Sequence, residues 1–515
     1  MSTLPISRIS APLQAAVVGL VGFTVAAVAT SQSGLALVLV AAAGALAVVV
    51  ALIKDPFWGL PLFLALRLLA PVLENNTLAQ VGFGLVLWTT AGIIAAERRI
   101  FRTPRFADSF RLPPRFIGPL ALLTIAVLIP SLPRMLDFET FLSLKVVEGE
   151  THVNREMYMI LANAVLLATL IVRLLDNERK VRRLIDCYIV IGFALAAGGF
   201  LTYLGYVQPP TPESDPAVRL RTFTGISSAA TGERLMVPTS LSLLLLGSTR
   251  GVPRLALLVV AAVNLSAMLL SATRAAYVGC AVALVVAAAL NARRHFWKTL
   301  IVVGIAAIIV TAAASNWETI DTHARTVVGN ERLTSGEHYL YSIFELRAQR
   351  WSVALEAIAG SWVVGYGLGS SKEVVGVRLP ESLGFVYGSL HNLYLGWLVD
   401  TGVLGGLALL VLVGVTTRNF YVASVKASGR LGAYSRSLLA TFWGGASMYL
   451  VDSDPVFDVL FLAFFGLSFA VLRASEHADG TAGDRGASGQ PADGGDDLAG
   501  GRFGTNTAGR GRLEP

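Results

Sequence analysis

The sequence predicts an all-α polytopic membrane protein with about 12–14 transmembrane helices and one long, partly helical external loop. Hydrophobic residues make up 54% of the 515 residues and charged residues only 15%, whereas soluble domains carry about 25% charged residues. The mean hydropathy is +0.64, and apolar runs long enough to cross a bilayer recur along most of the chain. The net charge of +7 comes mostly from Lys and Arg between these runs, where such residues orient helices rather than bind nucleic acid.

About fourteen apolar segments are candidate spans. The third contains prolines and Arg67, and the eighth is short, so the count varies by one or two. In chain order they are 12–30, 34–53, 56–72, 78–96, 116–132, 158–175, 184–206, 235–247, 252–270, 275–290, 298–314, 391–415, 437–451 and 456–472.

The distribution of Lys and Arg predicts the orientation of these spans. If the N-terminus lies inside, every strongly basic connection falls on the inner side, as the positive-inside rule requires. These connections are 97–115, 173–183, 248–254, 291–298 and 417–436. We therefore expect a multi-pass protein of the cell inner (cytoplasmic) membrane whose longest loop faces outward.

The spans divide the chain into four regions. Residues 1–314 form N-terminal transmembrane helices, and residues 315–390 form an external loop domain with an amphipathic helix from Glu345 to Ala359. Residues 391–472 form C-terminal transmembrane helices. Residues 473–515 are rich in Gly, Asp and Ala, and with few large apolar residues they predict a disordered cytoplasmic tail.

The segment HNLYLGWLVDTGVLGG, from His391 to Gly406, places a residue capable of proton transfer at the end of a predicted span. An imidazole at the water-facing end of an apolar helix is suited to accept and return a proton near neutral pH. On one continuous helix, His391, Leu395, Leu398, Gly402 and Gly405 would form a single stripe. The two glycines would then let another helix pack closely below the histidine.

External arginines are the second signal. Arg219, Arg221 and Arg234 cluster in RLRTFTGISSAATGER, and Arg274 begins a span. An arginine at membrane depth usually faces a cavity or an anion, and its planar fork matches phosphate oxygens. Arg347 in ELRAQRW adds to this group.

Simpler interpretations of these residues stay open. Arg274 could extend to the lipid headgroups, and Arg219 and Arg221 could pair with acidic residues in a solvated loop. Arg347 and its neighbour Arg350 could be surface charge facing Glu345 or Glu356. His391 could be a helix-start residue that bonds the loop.

Two further motifs carry weaker signals. Asp452-Ser453-Asp454 could hold a divalent cation on a diphosphate or form an ordinary turn. The glycine-rich run Gly365–Gly369 resembles a phosphate cradle, but it lacks a preceding strand and the lysine of a P-loop, which favours a flexible bend. The histidines show no metal-ligand spacing, so we expect no metal site and no cofactor.

The His391 segment resembles the hallmark of the bacterial O-antigen ligase and O-antigen polymerase superfamily, which reads His-Asn-x-Tyr-Leu, an acidic residue, then Gly-x-x-Gly. Asp400 stands where glutamate is common in that pattern. The similarity covers roughly residues 200–420. Three other segments are also similar to the family: RAQRW followed by VGYG, LLSATRAAYVG, and RLRTFTG.

The resemblance implies a membrane glycosyltransferase with a GT-C-like fold, acting on the outer, periplasmic side of the membrane. Its donor would be a glycan on a polyprenyl diphosphate, and its acceptor a hydroxyl on a glycan or glycolipid. His391 would be the general base, and the diphosphate would bind Arg274, Arg347, and Arg221 or Arg219. The resemblance also implies metal independence.

Other functions remain open at this point. A polymerase of the same superfamily that extends a glycan repeat shares the signature. A secondary transporter or flippase of envelope lipids would also have many spans and buried arginines, although its charges gather near the bilayer midplane. A non-catalytic scaffold would not need a histidine at the loop-to-helix junction.

Overall fold

The computed structural model describes residues 48–69, 77–100, 112–136, 151–207, 228–271, 273–291, 304, 337–378, 390–427, 429–450 and 458–487. These residues are predominantly helical, and no strand occurs among them. The predicted spans 12–30 and 298–314 lie almost entirely outside the described residues.

Thirteen helices are labelled here in chain order. They are α1 Gly59–Leu69, α2 Thr77–Ile100, α3 Pro114–Leu136, α4 Thr151–Leu174, α5 Glu178–Tyr203, α6 Ser228–Leu245, α7 Val252–Leu270, α8 Arg274–Asn291, α9 Glu337–Gly360, α10 Ser371–Gly376, α11 Leu393–Lys426, α12 Gly429–Met448 and α13 Phe464–Ala487. A 3₁₀ turn at Pro56–Trp58 precedes α1, and a π-helical turn at Asp458–Ala463 precedes α13.

Six segments of the described part are helical, long enough and apolar enough to cross a membrane. They are Pro114–Leu132, Met157–Leu174, Glu178–Tyr203, Val252–Leu270, Arg274–Asn291 and Leu393–Lys426. Shorter apolar helices lie at Pro56–Leu68 and Gly84–Ala96. The all-α polytopic membrane class is therefore confirmed.

Close contact between glycines joins two central helices. Gly279 of α8 faces Gly444 of α12, and a methyl group on either glycine would overlap the other's carbonyl oxygen. Small residues at such a seam let transmembrane helices approach closely, which increases van der Waals contact where no hydrophobic driving force acts. On another face of α12, the Phe442 ring packs against Phe461 and Phe464 at 5.9 and 6.0 Å between centroids.

Helix α11 is broken near its start. Gly402 has φ 62° and ψ −164°, which is not helical, so the residues before and after it form two helical pieces. The prediction of one continuous stripe through Gly402 and Gly405 is therefore wrong. Gly402 instead touches the backbone of Val363, while Gly405 faces Thr401 of its own helix. In the sequence Gly402 resembles a helix-packing glycine, but in the structure it contacts the backbone of a non-helical segment.

Helices α9 and α13 both extend beyond the segments predicted from the sequence. Helix α9 contains the predicted amphipathic segment but begins at Glu337 and ends at Gly360. Helix α13 continues to Ala487, so residues 473–487, which were predicted to belong to the tail, are helical. Residues 488–515 lie outside the described part of the chain.

Candidate functional site

His391 lies where the chain turns into α11. Its backbone φ is 46°, and it is the one non-glycine residue with positive φ in the described part of the chain. The left-handed region is uncommon for residues with a side chain. Such a conformation costs on the order of 1–3 kcal/mol, persists only where the surroundings enforce it, and is frequent in active sites. The half-buried histidine is therefore held in a specific backbone conformation.

The residues on both sides of His391 are bonded to the protein. The Trp351 indole Nε1 donates to the Leu390 carbonyl at 2.9 Å, which ties α9 to the residue before the histidine. Asn392 caps α11, because its Oδ1 accepts a hydrogen bond from the Leu395 N–H at 3.0 Å. A capping asparagine satisfies a backbone donor that the helix itself cannot. These bonds keep the left-handed residue in place.

The first turn of α11 is also attached to the end of α12. The Leu393 N–H donates to the Tyr449 carbonyl at 3.1 Å, and the Tyr394 hydroxyl donates to the Ala446 carbonyl at 2.7 Å. The asparagine, leucine and tyrosine that follow the histidine thus have structural partners. Among these first residues of the motif, His391 is the one with a side chain suited to proton transfer.

Arg274 is the first residue of α8 and is partly buried. It follows a short turn after α7, in which the Ser271 N–H donates to the Ala267 carbonyl at 3.0 Å. The Ser271 hydroxyl donates to Thr273 Oγ1 at 3.1 Å. Ser271 and Thr273 are both buried, so Arg274 follows directly on a buried polar segment at the start of α8.

Helices α8 and α12 are antiparallel. Gly279 lies against Gly444 and Met448, while Gly444 also lies against Ala283. Residues of α8 nearer to Arg274 therefore lie beside residues nearer to the C-terminal end of α12. Arg274 lies at the end of the bundle where α12 finishes.

The same end holds His391. The Tyr449 carbonyl, just past α12, accepts the bond from Leu393 of α11, and His391 is two residues earlier. We call this end, where α8 and α11 begin and α12 finishes, the His391 end. Arg274 and His391 therefore lie at the same end of the bundle.

Helix α9 carries its arginines to the same end. Arg350 is only 3% exposed, and Ala354 and Ala357 are buried along the same face. Arg347 is partly exposed and lies one turn before Trp351, whose indole bonds the Leu390 carbonyl. Arg350 is therefore not a solvated surface charge, and Arg347 lies on the side of α9 that meets the His391 segment.

Four residues named from the sequence lie outside the described part of the chain. They are Arg219 and Arg221, predicted to bind the diphosphate, and Asp452 and Asp454, weighed as a cation site. Their roles stay predictions.

Sequence reasoning missed two buried charges at the His391 end and misplaced a third. Arg67 and Glu233 are 2% and 3% exposed, and Arg234 is 2% exposed. Arg234 Nη1 donates to the Leu68 carbonyl at 3.3 Å. The preceding Gly232 packs against Ser271 and Thr273, which places the start of α6 beside the turn before Arg274.

A sequence signal existed for these charges. Arg67 interrupts the apolar run PLFLALRLLA, and an ionisable residue within a span is by default a candidate functional residue. Glu233 and Arg234 were assigned to a loop because the predicted span began at 235, whereas α6 begins at Ser228.

The glycine-rich segment Gly365–Gly369 is a bend fixed to α11. All five of its N–H groups donate to protein oxygens, so none is directed at a ligand, and the interpretation as a phosphate cradle is excluded. The acceptors, in order, are Ser361 O at 2.9 Å, Val399 O at 3.0 Å, Asp400 O at 2.8 Å, Ser131 Oγ at 3.4 Å and Asp400 Oδ2 at 2.8 Å.

An apolar groove opens beside the histidine segment. It has a volume of about 460 Å³ and runs between α11 and the end of α12. Its lining begins at Tyr394, one turn after His391, and includes Trp397, Leu410, Trp443 and Leu450. A groove of this size is within the usual range for ligand sites. No group of three or more His, Cys, Asp or Glu residues that could hold a metal ion occurs among the described residues.

Residues 255–410 match the family model described as O-antigen ligase. This segment contains Arg274, Arg347 and His391, so the residues chosen from the sequence fall inside the matched region. The match confirms that the chain is similar to the O-antigen ligase and polymerase superfamily, and it supports a glycan-transferring membrane enzyme of that superfamily. No curated protein matches the chain.

Proposed function

We propose that this protein, whose residues 255–410 are similar to O-antigen ligases, transfers a glycan from a polyprenyl diphosphate to an acceptor hydroxyl. The observation that carries the proposal is the convergence of His391, Arg274 and the arginine-bearing face of α9 at one end of a membrane-spanning bundle. An imidazole beside several guanidiniums is the combination that such a transfer needs. The transfer takes place on the outer side of the cytoplasmic membrane, the side that the basic connections avoid.

His391 acts as the general base. A sugar hydroxyl is a weak nucleophile, and an imidazole that takes its proton as the new bond forms accelerates the reaction by about 10²–10⁴-fold. The acceptor oxygen bonds to the anomeric carbon of the donor glycan. The bond between that carbon and the diphosphate oxygen breaks, and the acceptor proton moves to the imidazole.

The arginines stabilise the leaving diphosphate. Negative charge grows on the diphosphate as its bond to the sugar breaks, and fixed guanidinium groups stabilise that charge without reorganising. Arg274 and Arg347 bind the phosphate oxygens, together with Arg221 or Arg219 from the 208–227 segment. Arg350, Arg67 and Arg234 add buried positive charge at the same end of the bundle, and the buried Glu233 offsets part of it.

The groove beside Tyr394 suits a lipid-linked substrate. Its lining is almost wholly apolar, and Leu407, Leu410 and Leu450 at its sides are more than half exposed. A hydrocarbon chain can enter such a groove from the bilayer while its polar head reaches His391. A substrate without a lipid chain would have no apolar group to fill this groove.

The direct test is a transfer assay with the purified protein in lipid nanodiscs. The substrates are an oligosaccharide linked to polyprenyl diphosphate and a glycolipid acceptor. We expect glycosylated acceptor and free polyprenyl diphosphate in equal amounts. Absence of transfer with any polyprenyl-diphosphate glycan, together with energy-dependent movement of the lipid across the membrane, would favour a transporter and overturn the proposal.

Attachment to a separate acceptor is the reaction we propose, and a polymerase of the same superfamily is the closest competitor. The surface glycan of a strain lacking the gene distinguishes them. Long glycan chains that stay unattached indicate a ligase, whereas single repeats on the acceptor indicate a polymerase and overturn the ligase assignment.

A further inference from the structure

We propose that Asp400 is a positioning residue that fixes the arginine-bearing helix α9 relative to His391; the inference rests on the function proposed above. The contact that achieves this, here called the clasp, joins residues 361–371, which follow α9, to residues 399–404 of α11. Asp400 and residues 361–371 are not proposed to touch the substrate.

The clasp replaces the helical hydrogen bonds that the break at Gly402 removes. In an unbroken helix, the Val403 N–H would donate to Val399 O, and the Leu404 N–H to Asp400 O. In the structure these two N–H groups donate instead to Trp362 O at 2.8 Å and Val363 O at 3.1 Å.

The carbonyls of Val399 and Asp400, which lose their helical donors, accept hydrogen bonds from the same segment. Val399 O accepts from the Tyr366 N–H at 3.0 Å, and Asp400 O accepts from the Gly367 N–H at 2.8 Å. Each lost helical bond is thus exchanged for two bonds to residues 362–367. Non-helical backbone at membrane depth is tolerated only where its polar groups are satisfied in this way.

The Asp400 carboxylate closes the clasp. It is 4% exposed, and it accepts from the Gly369 N–H at 2.8 Å and from the Ser371 N–H at 2.7 Å. The Ser370 hydroxyl lies 3.3 Å from Oδ1. A buried carboxylate is costly unless it is fully hydrogen-bonded, and bonds to a charged acceptor are stronger than neutral ones. Asp400 therefore holds residues 369–371 tightly against α11.

Backbone contact at the clasp leaves no room for side chains. A Cβ on Gly365 would lie 2.5 Å from the Asp400 carbonyl carbon, and a Cβ on Gly402 would lie 2.5 Å from the Val363 carbonyl carbon. Both glycines have positive φ, 73° and 62°. The two chains are therefore in direct backbone contact, which restricts sliding between them.

The clasp and the Trp351 bond together fix α9 at two points. Trp351 holds the helix at Leu390, next to His391, and the clasp holds its far end. Between the two attachments lies a small apolar core, separate from the main one, to which α9, α10 and the start of α11 all contribute. Its buried members are Ala354, Ala357, Val374, Val375, Leu390 and Val399.

This arrangement sets the distance between the base and the arginines. Arg347 and Arg350 lie on α9, and His391 lies at the start of the helical piece that ends at the break. If Asp400 releases residues 369–371, the four backbone bonds of the clasp remain, but the chain after α9 is held less tightly and α9 can shift by a small distance relative to His391. A misplacement of reacting groups by about 1 Å can lower a rate by about 100-fold.

The test compares Asp400→Asn with Asp400→Glu in the transfer assay. Asparagine keeps the size but puts an N–H₂ group against a backbone N–H donor, whereas glutamate keeps two acceptor oxygens. For Asp400→Asn we expect kcat to fall about 10–100-fold, with a smaller change in KM for the lipid-linked donor. Asp400→Glu should recover a substantial part of the lost rate. Equal kcat in Asp400→Asn and wild type would overturn the inference.

Two further readouts separate positioning from other roles. If Asp400 exchanged protons with the substrate, Asp400→Asn would change the shape of the pH–rate profile, whereas a positioning residue lowers its height only. Asn419→Ala is the matched control, because it removes a buried side-chain bond from the other end of α11, 3.3 Å to Ser468 Oγ. We expect Asn419→Ala to lower the melting temperature without lowering kcat. If Asn419→Ala lowers kcat as much as Asp400→Asn does, the role of Asp400 is only structural.

The design keeps this inference separate from the proposed function. If the wild-type protein is active and His391→Asn is not, the proposed function is supported whatever the result for the Asp400 variants. If Asp400→Asn does not accumulate in the membrane, Ser370→Ala decides, since it weakens the same clasp by one hydroxyl. A lower kcat at an unchanged melting temperature supports the inference, and an unchanged kcat rejects it.

Discussion

The indole of Trp351 donates a hydrogen bond of 2.9 Å to the carbonyl of Leu390, 39 residues later in the chain. This bond joins the helix that carries Arg347 and Arg350 to the residue that precedes His391. It makes the tryptophan of the RAQRW motif a link between the two groups of candidate catalytic residues.

Trp351→Phe is expected to lower the transfer rate while the protein still folds. Phenylalanine keeps most of the apolar contact but cannot donate to the Leu390 carbonyl, and a lost hydrogen bond of this kind costs about 1 kcal/mol. Steady-state rates in nanodiscs measure the effect, with Trp88→Phe as the control because Trp88 is 58% exposed on α2. Equal rates for both variants would contradict a positioning role for the bond.

His391→Asn is expected to be inactive but as stable as wild type. Asparagine is among the residues that best tolerate a left-handed backbone, so it preserves the φ of 46° while removing the base. His391→Ala should be equally inactive but less stable, because alanine does not favour that conformation. Transfer activity and thermal unfolding are measured on the same preparations. Activity in the asparagine variant would show that another group takes the proton.

Arg274→Lys is expected to weaken binding of the diphosphate. Lysine keeps the positive charge but loses the planar fork that binds two phosphate oxygens at once. Inhibition by inorganic pyrophosphate and KM for the donor should both change by about tenfold or more, since a bond to a charged group is worth about 1.5–3 kcal/mol. Arg254→Lys at the exposed start of α7 is the control. Wild-type behaviour of Arg274→Lys would exclude two-point binding by this residue.

Gly402→Ala and Gly414→Ala are expected to have opposite effects, although both lie in α11. At Gly402 the new methyl group meets the Val363 backbone and the φ is positive, whereas at Gly414 no atom lies within 4 Å. We expect Gly402→Ala to lower stability by at least about 1–3 kcal/mol. Gly414→Ala should be neutral or stabilising by up to about 1 kcal/mol. Thermal unfolding in detergent distinguishes them, and equal melting temperatures would contradict the break at Gly402.

Features of the fold that depend on local pattern were predictable from the sequence. Long apolar runs located the apolar helices of the described residues. The bounds agree closely for Val252–Leu270, whereas Leu393–Lys426 extends well past the predicted 391–415. The start of α11 directly after His391 and Asn392 followed from the change from a polar loop to an apolar run. The presence of His391 and Arg274 at one end of the bundle followed from counting spans between basic connections.

The backbone exchange at Gly402 could not be predicted in the same way. It depends on carbonyls of residues 362 and 363, about forty positions earlier, and a glycine within an apolar helix is normally a packing residue. The left-handed φ of His391 was hidden for a similar reason. It is stabilised by bonds at Leu390 and Leu393, whose other partners are Trp351 of α9 and Tyr449 just past α12, and by the Asn392 cap of α11.

The bond between Leu393 and the Tyr449 carbonyl also bears on biogenesis. The ribosome synthesises His391 well before Tyr449. For a time the nascent chain therefore contains His391 and the arginines of α8 and α9 but not the Tyr449 carbonyl that accepts the bond from α11. Catalytic competence is therefore expected to arise only after α12 has been inserted, late in synthesis. Prematurely terminated chains that stop between these two positions would reside in the bilayer as inert fragments.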